Sequence, residues 1–182
     1  AYTIGIEWKR DTQLVLYRIS GKSPFTALVG KLLPQTLVFW LIAILYAVYF
    51  YRYLQFPCNS GILPMMLIGM LTVLGAQGLA AFIFGVCGQM RLSMCLCSLW
   101  GILSFSLAGF TFPVTAMDGI LQKLSVLFPL RHYYLLYVNQ ALNGYSIVYA
   151  WHSLLAMVIF ALLPLITLRH YNNLFLNHKY IP

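Results

Sequence analysis

The 182-residue chain is 62% hydrophobic and 8% charged, with a mean hydropathy of +0.83, whereas soluble domains carry about 25% charged residues; this excludes an ordinary water-soluble globular protein. Eleven Lys and Arg against three acids give a formal charge of +8. A nucleic-acid binder gathers such charge on one polar face, but here it lies between long apolar runs, so no nucleic-acid partner is expected and the basic excess reads as membrane topology.

The opening stretch AYTIGIEWKRDTQ lacks the basic start, apolar core and cleavage site of a signal peptide, and with Ala1 at its head it reads as the middle of a longer chain. Thr12, Val15, Leu16 and Ile19 then form an apolar stripe with Lys9, Arg10, Gln13 and Arg18 off it, the pattern of a helix lying on the cytoplasmic membrane surface. Ser20-Gly21-Lys22 breaks it. Gly21-Lys22-Ser23 matches the tail of a phosphate-binding loop, but that motif needs a preceding strand and a glycine where Leu16 stands. It reads as a break between helices, and any ATP would have to bind a partner. Ser23 is expected to cap the next helix and Pro24 to open it, with Phe25, Leu28, Val29 and Leu32 on one face.

Four stretches reach the length of roughly 20 apolar residues that a bilayer crossing requires: Leu32 to Leu54, Ile62 to Val86, Leu92 to Phe112, and Ile147 to Leu168. The predicted fold is therefore an all-α integral membrane protein. A cytoplasmic amphipathic segment, residues 1–31, precedes a four-helix transmembrane domain, residues 32–182. Lys9, Arg10, Arg18, Lys22, Lys31, Arg91, Arg169 and Lys179 fall on one side, and Arg52, Lys123 and Arg131 on the other. By the positive-inside rule both ends of the sequence are expected in the cytoplasm. Tyr46, Tyr49, Tyr51, Tyr53, Trp100, Tyr145, Tyr149 and Trp151 mostly crowd the span ends, where amphipathic rings prefer the headgroups.

Small residues recur in the second span (Gly69, Gly75, Gly78, Ala81, Gly85) and the third (Gly101, Ser104, Ala108), a spacing that lets helix backbones approach closely. Gln77 is a candidate polar contact, in a lumen or between helices. Cys58, Cys87, Cys95 and Cys97 imply no disulfide framework. Cys95 and Cys97, two apart on a helix, point about 200° apart and cannot jointly hold a metal. The spans hold no pair of acids, so a cation-coupled transporter built on intramembrane carboxylates is not expected.

The connection 113–146 is long and itself apolar. Met117, Ile120, Leu121, Leu124, Leu127 and Phe128 form one face that stops at Pro129, and Tyr133, Leu136, Tyr137 and Leu142 continue it to Asn143-Gly144. Segments of about 10 to 14 residues are too short to cross, so a helical hairpin dipping into the outer leaflet is predicted. Asp118 sits near the start of its first helix, where a carboxylate favours the helix dipole.

Glu7-Trp8-Lys9-Arg10-Asp11-Thr12, then Ser23-Pro24 and Gly30-Lys31-Leu32-Leu33-Pro34, then Phe112-Pro113, Leu127-Phe128-Pro129-Leu130-Arg131-His132-Tyr133 and Asn139-Gln140-Ala141-Leu142-Asn143-Gly144 follow in an order that resembles the C-terminal portion of an ABC-2 type permease, the membrane subunit of bacterial ABC exporters. Asp11 stands where the family's first motif has glycine. The resemblance implies that Glu7 to Ser23 is a coupling segment, with Glu7, Lys9, Arg10, Asp11 and Thr12 meeting an ATP-binding partner subunit, and that Pro113, Asp118, Pro129 and Gly144 shape the outer hairpin. It implies a second permease subunit, identical or not, a bacterial inner-membrane location in contact with lipid, and a drug, small-molecule or lipid-like cargo moved outward. This chain would carry no cofactor and no catalytic residue; ATP and Mg would sit on the partner.

Two other classes compete. An intramembrane protease or acyltransferase would pair Ser104 or Ser106 with His152, but nucleophile and base must come within about 3 Å, and the serines fall in mid-span while His152 lies near a span end. A membrane scaffold without transport differs from the permease only in lacking an ATPase partner.

Overall fold

The computed structural model describes residues 1–10 and 12–177, and these contain helices and no strands. Four helical stretches are long and apolar enough to cross a bilayer: Pro24–Tyr53, Ile62–Cys87, Met90–Leu107 and Ile147–Leu176. The first and last have 30 residues each, about 45 Å at 1.5 Å per residue. That exceeds a hydrocarbon core of about 30 Å, an excess that tilt, a kink or projection takes up.

Two short helices, α1 (Tyr2–Lys9) and α2 (Gln13–Ile19), come first. After the turn at Gly21 and Lys22, helix α3 (Pro24–Val48) starts eight residues before Leu32, because Ser23 is extended (φ −106°, ψ 117°) as the residue ahead of a proline must be. The expected side-chain cap is not made: the Ser23 hydroxyl bonds no helix amide, and its carbonyl instead accepts from the Ala27 amide at 3.1 Å. Pro34 lies inside α3 and leaves the Gly30 carbonyl without its helical donor. A π-helical turn, Tyr49–Tyr53, ends the span.

Helix α4 (Ile62–Cys87) is the central element. A third of its apolar core (33%) is buried inside the protein, against 6% for the first span. It packs on α3, on α5 (Met90–Leu107) across the tight turn at Gly88, and on the last span, which runs as α8 (Trp151–Leu162), a 3-10 turn at Leu163–Leu165, and α9 (Leu168–Asn177). The contact with α8 is at backbone distance: a Cβ on Gly78 would lie 2.3 Å from the Phe160 carbonyl oxygen.

The hairpin between the third and fourth spans contains α6 (Gly119–Ser125) and α7 (Pro129–Tyr137), the latter extended by a π-helical turn, Val138–Leu142. Of the two, α7 packs more deeply into the helix bundle. Phe128, His132 and Leu136 are buried, whereas Ile120, Leu121, Leu124 and Leu127 on and after α6 are exposed. Arg131 donates to the Ala108 carbonyl at 3.2 Å, a carbonyl that the end of α5 leaves without a helical partner. His132 Nε2 bonds the Val126 carbonyl at 2.9 Å, which closes the α6–α7 turn. The Phe128 ring packs 5.2 Å from Trp100.

The buried side chains form two clusters, one at each end of the bundle. One joins Ile4, Trp8, Ala27, Leu28, Phe84, Tyr171, Leu174 and Phe175. Lys9, Arg10, Lys31, Arg91 and Arg169 flank it, and we call this the basic end. The other, at the far end, joins Met65, Ile68, Leu136, Ala141, Ala150 and Met157. Because the two ends are packed separately, the middle of the bundle is held mainly by helix-to-helix contact along α4.

Candidate functional site

The basic end is where the sequence-predicted residues meet. Helix α1 presses Gly5 onto the α4–α5 corner so closely that a Cβ there would lie 2.7 Å from Met90 Cγ. That approach lays the Trp8 indole between Phe84 of α4 (centroids 5.2 Å) and Phe175 of α9 (5.0 Å). The indole N–H donates to the Leu174 carbonyl at 3.3 Å. Helix α2 is tied to the same partner by the Tyr17 hydroxyl, which donates to Asn172 Oδ1 at 2.6 Å. Tyr171 in turn donates to the Ala81 carbonyl in α4 at 2.6 Å. Two short helices are thereby fixed to three spans by one aromatic cluster.

Within this cluster the predicted contact residues divide in two. The Glu7 side chain is only 14% exposed, and its carboxylate accepts from Lys31 Nζ in α3 and from the Thr12 hydroxyl. Glu7 and Thr12 thus lock α1 to α3 and to the α1–α2 turn. Lys9 and Arg10 are exposed and form a cationic edge facing away from the spans. Asp11 lies outside the described residues.

Burial alone would raise the Glu7 carboxyl, but the hydrogen bonds from Lys31 and Thr12, helped by the charges of Lys31 and Arg10, more than offset it and hold the group below its ordinary range. A carboxyl depressed in the folded state stabilises fully above its unfolded value of about 4.3, and that stability is lost as pH falls through the lower, folded value. Hydrogen exchange of the α1 amides, corrected for intrinsic rate, is therefore expected to accelerate only below about pH 4. Glu7→Gln, which loses a charge-assisted pair worth about 2 kcal/mol, should exchange fast at neutral pH with no such acid step. An acid step of wild-type size in the variant would show that another group is responsible.

Elsewhere the sequence expectations meet different outcomes. Pro113 precedes a 3-10 turn, Asp118 stands at the N-cap of α6 without a side-chain cap hydrogen bond, and Pro129 opens α7. Gly144 is left-handed (φ +65°) and so near Asn59 that a Cβ would lie 2.8 Å from the Asn59 Cβ; Asn59 Nδ2 donates to the Leu142 carbonyl at 2.6 Å. Gln77 resolves as an interhelical contact, its Oε1 accepting from the Thr36 hydroxyl at 2.6 Å. It lines an apolar groove of about 550 Å³ between α3, α4 and the last span, with Leu74, Leu165 and Leu168 among its walls. Ser106 donates to the Ile102 carbonyl, and the His152 ring lies 3.8 Å from Trp151. No hydrogen bond among the described residues joins His152 to either Ser104 or Ser106, so a serine–histidine pair is not assembled.

Sequence reasoning missed the role of α9. The expected last span stops at Leu168, yet the helix continues, and its Tyr171, Leu174 and Phe175 form much of the cluster. Their i, i+3, i+4 spacing was the available signal. Trp8 and Lys31 were read as parts of motifs, without the contacts they make.

A family model described as ABC-2 family transporter protein matches residues 2–168. No curated protein and no solved structure gives a match.

Proposed function

Because the chain belongs to the ABC-2 family of transporter proteins, we propose that it works as the membrane subunit of an ATP-driven exporter, with residues 1–31 docking an ATP-binding partner and residues 32–182 forming the path-bearing domain. The observation that carries this reading is the attachment of α1 and α2 to α3, α4 and α9 through Trp8, Glu7 and Tyr17. A push on the exposed Lys9–Arg10 edge is delivered to three spans at once. This is the mechanical requirement of a coupling segment, and neither a scaffold nor an enzyme needs it.

The charge asymmetry supports a cytoplasmic placement of the basic end in a bacterial inner membrane, with the hairpin 113–146 facing outward. A second permease subunit, identical or not, would complete the assembly, as the family reading implies. ATP and Mg would be held by the partner, and a small-molecule, drug or lipid-like cargo would pass between the two permeases.

The test is affinity purification of the full-length protein in mild detergent, with Lys9→Glu and Arg10→Glu introduced together. Both side chains are exposed, so the spans should fold unchanged. The ATP-binding chain that accompanies the wild type is expected to fall by about tenfold or more, since reversing two contact charges costs more than 1.4 kcal/mol at a complementary interface. Recovery of no ATP-binding chain with the wild type, or equal recovery with the variant, would remove the reading.

A further inference from the structure

At the far end of the bundle, away from the coupling segment, α3, α4 and α7 leave a cavity of about 440 Å³, within the size range of small-molecule sites. Six aromatic rings line it: Tyr46, Phe50, Tyr51, Phe56, Tyr133 and Tyr137. On one wall Phe50 stacks on Tyr46 (centroids 6.0 Å, planes 14° apart) and meets Phe56 edge-on at 5.6 Å. On the other, Tyr133 and Tyr137 stack at 6.5 Å and 26°. Tyr51 belongs to the π-helical turn Tyr49–Tyr53, and Tyr137 is followed directly by a second, Val138–Leu142. Both turns close the ends of helices beside the cavity, and the first supplies Phe50 and Tyr51 to its wall.

We propose that this cavity binds a quaternary or lipophilic organic cation. Aromatic faces carry the negative part of the ring quadrupole and attract a cation most strongly where water is excluded. Among the described residues no Lys or Arg lines the cavity, although Arg131 and His132 of α7 stand next to Tyr133. Both are turned elsewhere: Arg131 to the Ala108 carbonyl and His132 to the Val126 carbonyl. The helix thus places Arg131 and His132 against backbone oxygens and its tyrosine rings toward the cavity. A compact, strongly hydrated ammonium would lose too much solvation here. A cation whose charge is sheathed in carbon loses little and gains the ring faces. Tyr46 is 60% exposed and Phe56 49%, so the cavity opens sideways, and an amphipathic cation would reach it along the membrane.

The proposal concerns binding and does not rest on the transport reading. The experiment is equilibrium dialysis of radiolabelled tetraphenylphosphonium and tetraphenylborate, two ions of nearly one shape and opposite charge, against the full-length protein in maltoside micelles with the micelle background subtracted. Saturable binding of the phosphonium ion, at least tenfold tighter than of the borate, is expected. In Phe50→Leu with Tyr133→Leu, which keeps most of the apolar volume, phosphonium affinity should fall by about tenfold or more. Equal binding of the two ions, or no saturable binding, would overturn the proposal without recourse to any variant. Unchanged phosphonium affinity in a doubly substituted protein that melts like the wild type would overturn it too. Competition by a phosphocholine detergent then separates a lipid headgroup as the natural ligand from a free cation.

Discussion

Replacing Gly78 by alanine is expected to cost the protein at least about 3 kcal/mol, the upper end of ordinary overpacking, and to lower its melting temperature in detergent more than any other single methyl in α4. The added Cβ would meet the Phe160 carbonyl oxygen at 2.3 Å and the Ala161 Cα at 2.8 Å. Both are backbone atoms of the facing helix, so relief requires α8 to move as a whole. Gly85 is the milder case. Its Cβ would meet Thr167 Oγ1 and a Tyr171 ring carbon, each at 2.7 Å, and these are side-chain atoms. Gly75 looks onto Met157 at an ordinary 3.5 Å, and Gly101, among the described residues, onto nothing within 4 Å. Gly101→Ala should therefore be neutral or stabilise by up to about 1 kcal/mol through helix propensity. The expected order of damage is Gly78, then Gly85, then Gly75 with Gly101. Thermal unfolding of the four alanine variants, followed by retention of a monodisperse elution peak, measures it. If Gly78→Ala melted with Gly101→Ala, the two backbones would not be in the contact described.

These four glycines were indistinguishable in the sequence, because a small-residue stripe says that a helix has a close-packing face and not which helix meets it. What could be read was whatever composition decides locally. The four spans followed from hydropathy, the α2–α3 break from Ser20-Gly21-Lys22, and the pair of half-length helices from the stop at Pro129. Inside a membrane, however, an apolar side chain gains little by choosing protein over lipid, so pattern does not reveal orientation. The continuous apolar face predicted over 117–142 is split accordingly: Leu136 is buried at 0% exposure and Ile120 left out at 75%. The same holds for α2, whose predicted stripe leaves Val15 and Ile19 exposed while Leu16 and Tyr17 pack inward and Gln13 is buried. Tyr17 settles that rotation through Asn172, 155 residues away, and no local window contains both. The family resemblance groups Glu7, Lys9 and Arg10 in one motif, but only the position of Lys31 separates the paired, half-buried carboxylate from the two exposed cations.

Trp8→Ala is expected to uncouple the assembly: the ATP-binding partner stays bound and keeps hydrolysing, while transport falls by at least tenfold. The partner contact, on our reading, is the exposed Lys9–Arg10 edge, which this substitution leaves in place. What it removes is the link from α1 to the spans, namely the ring contacts with Phe84 and Phe175 and the hydrogen bond to the Leu174 carbonyl. Truncating a buried Trp costs about 3–5 kcal/mol, a loss that falls on the docking of α1. A ligand or partner shifts a conformational equilibrium only by its differential interaction with the two states, and an element that is loosely held transmits only the free energy that holds it. Moving a two-state bundle from mostly one form to mostly the other takes about 5.5 kcal/mol, so losing a share of that size from the connecting helix should leave the ATPase cycle idling. Trp8→Phe separates the two parts of the link. It keeps most of the ring contacts with Phe84 and Phe175 and loses the N–H donor, leaving the Leu174 carbonyl with one partner fewer, and should retain most of the transport at a cost of about 1 kcal/mol. The measurement is ATP turnover and cargo flux side by side in proteoliposomes, with partner stoichiometry checked on the same preparation. Turnover and flux falling together would place Trp8 in the partner contact itself, and flux unchanged in Trp8→Ala would show that force reaches the spans by another route.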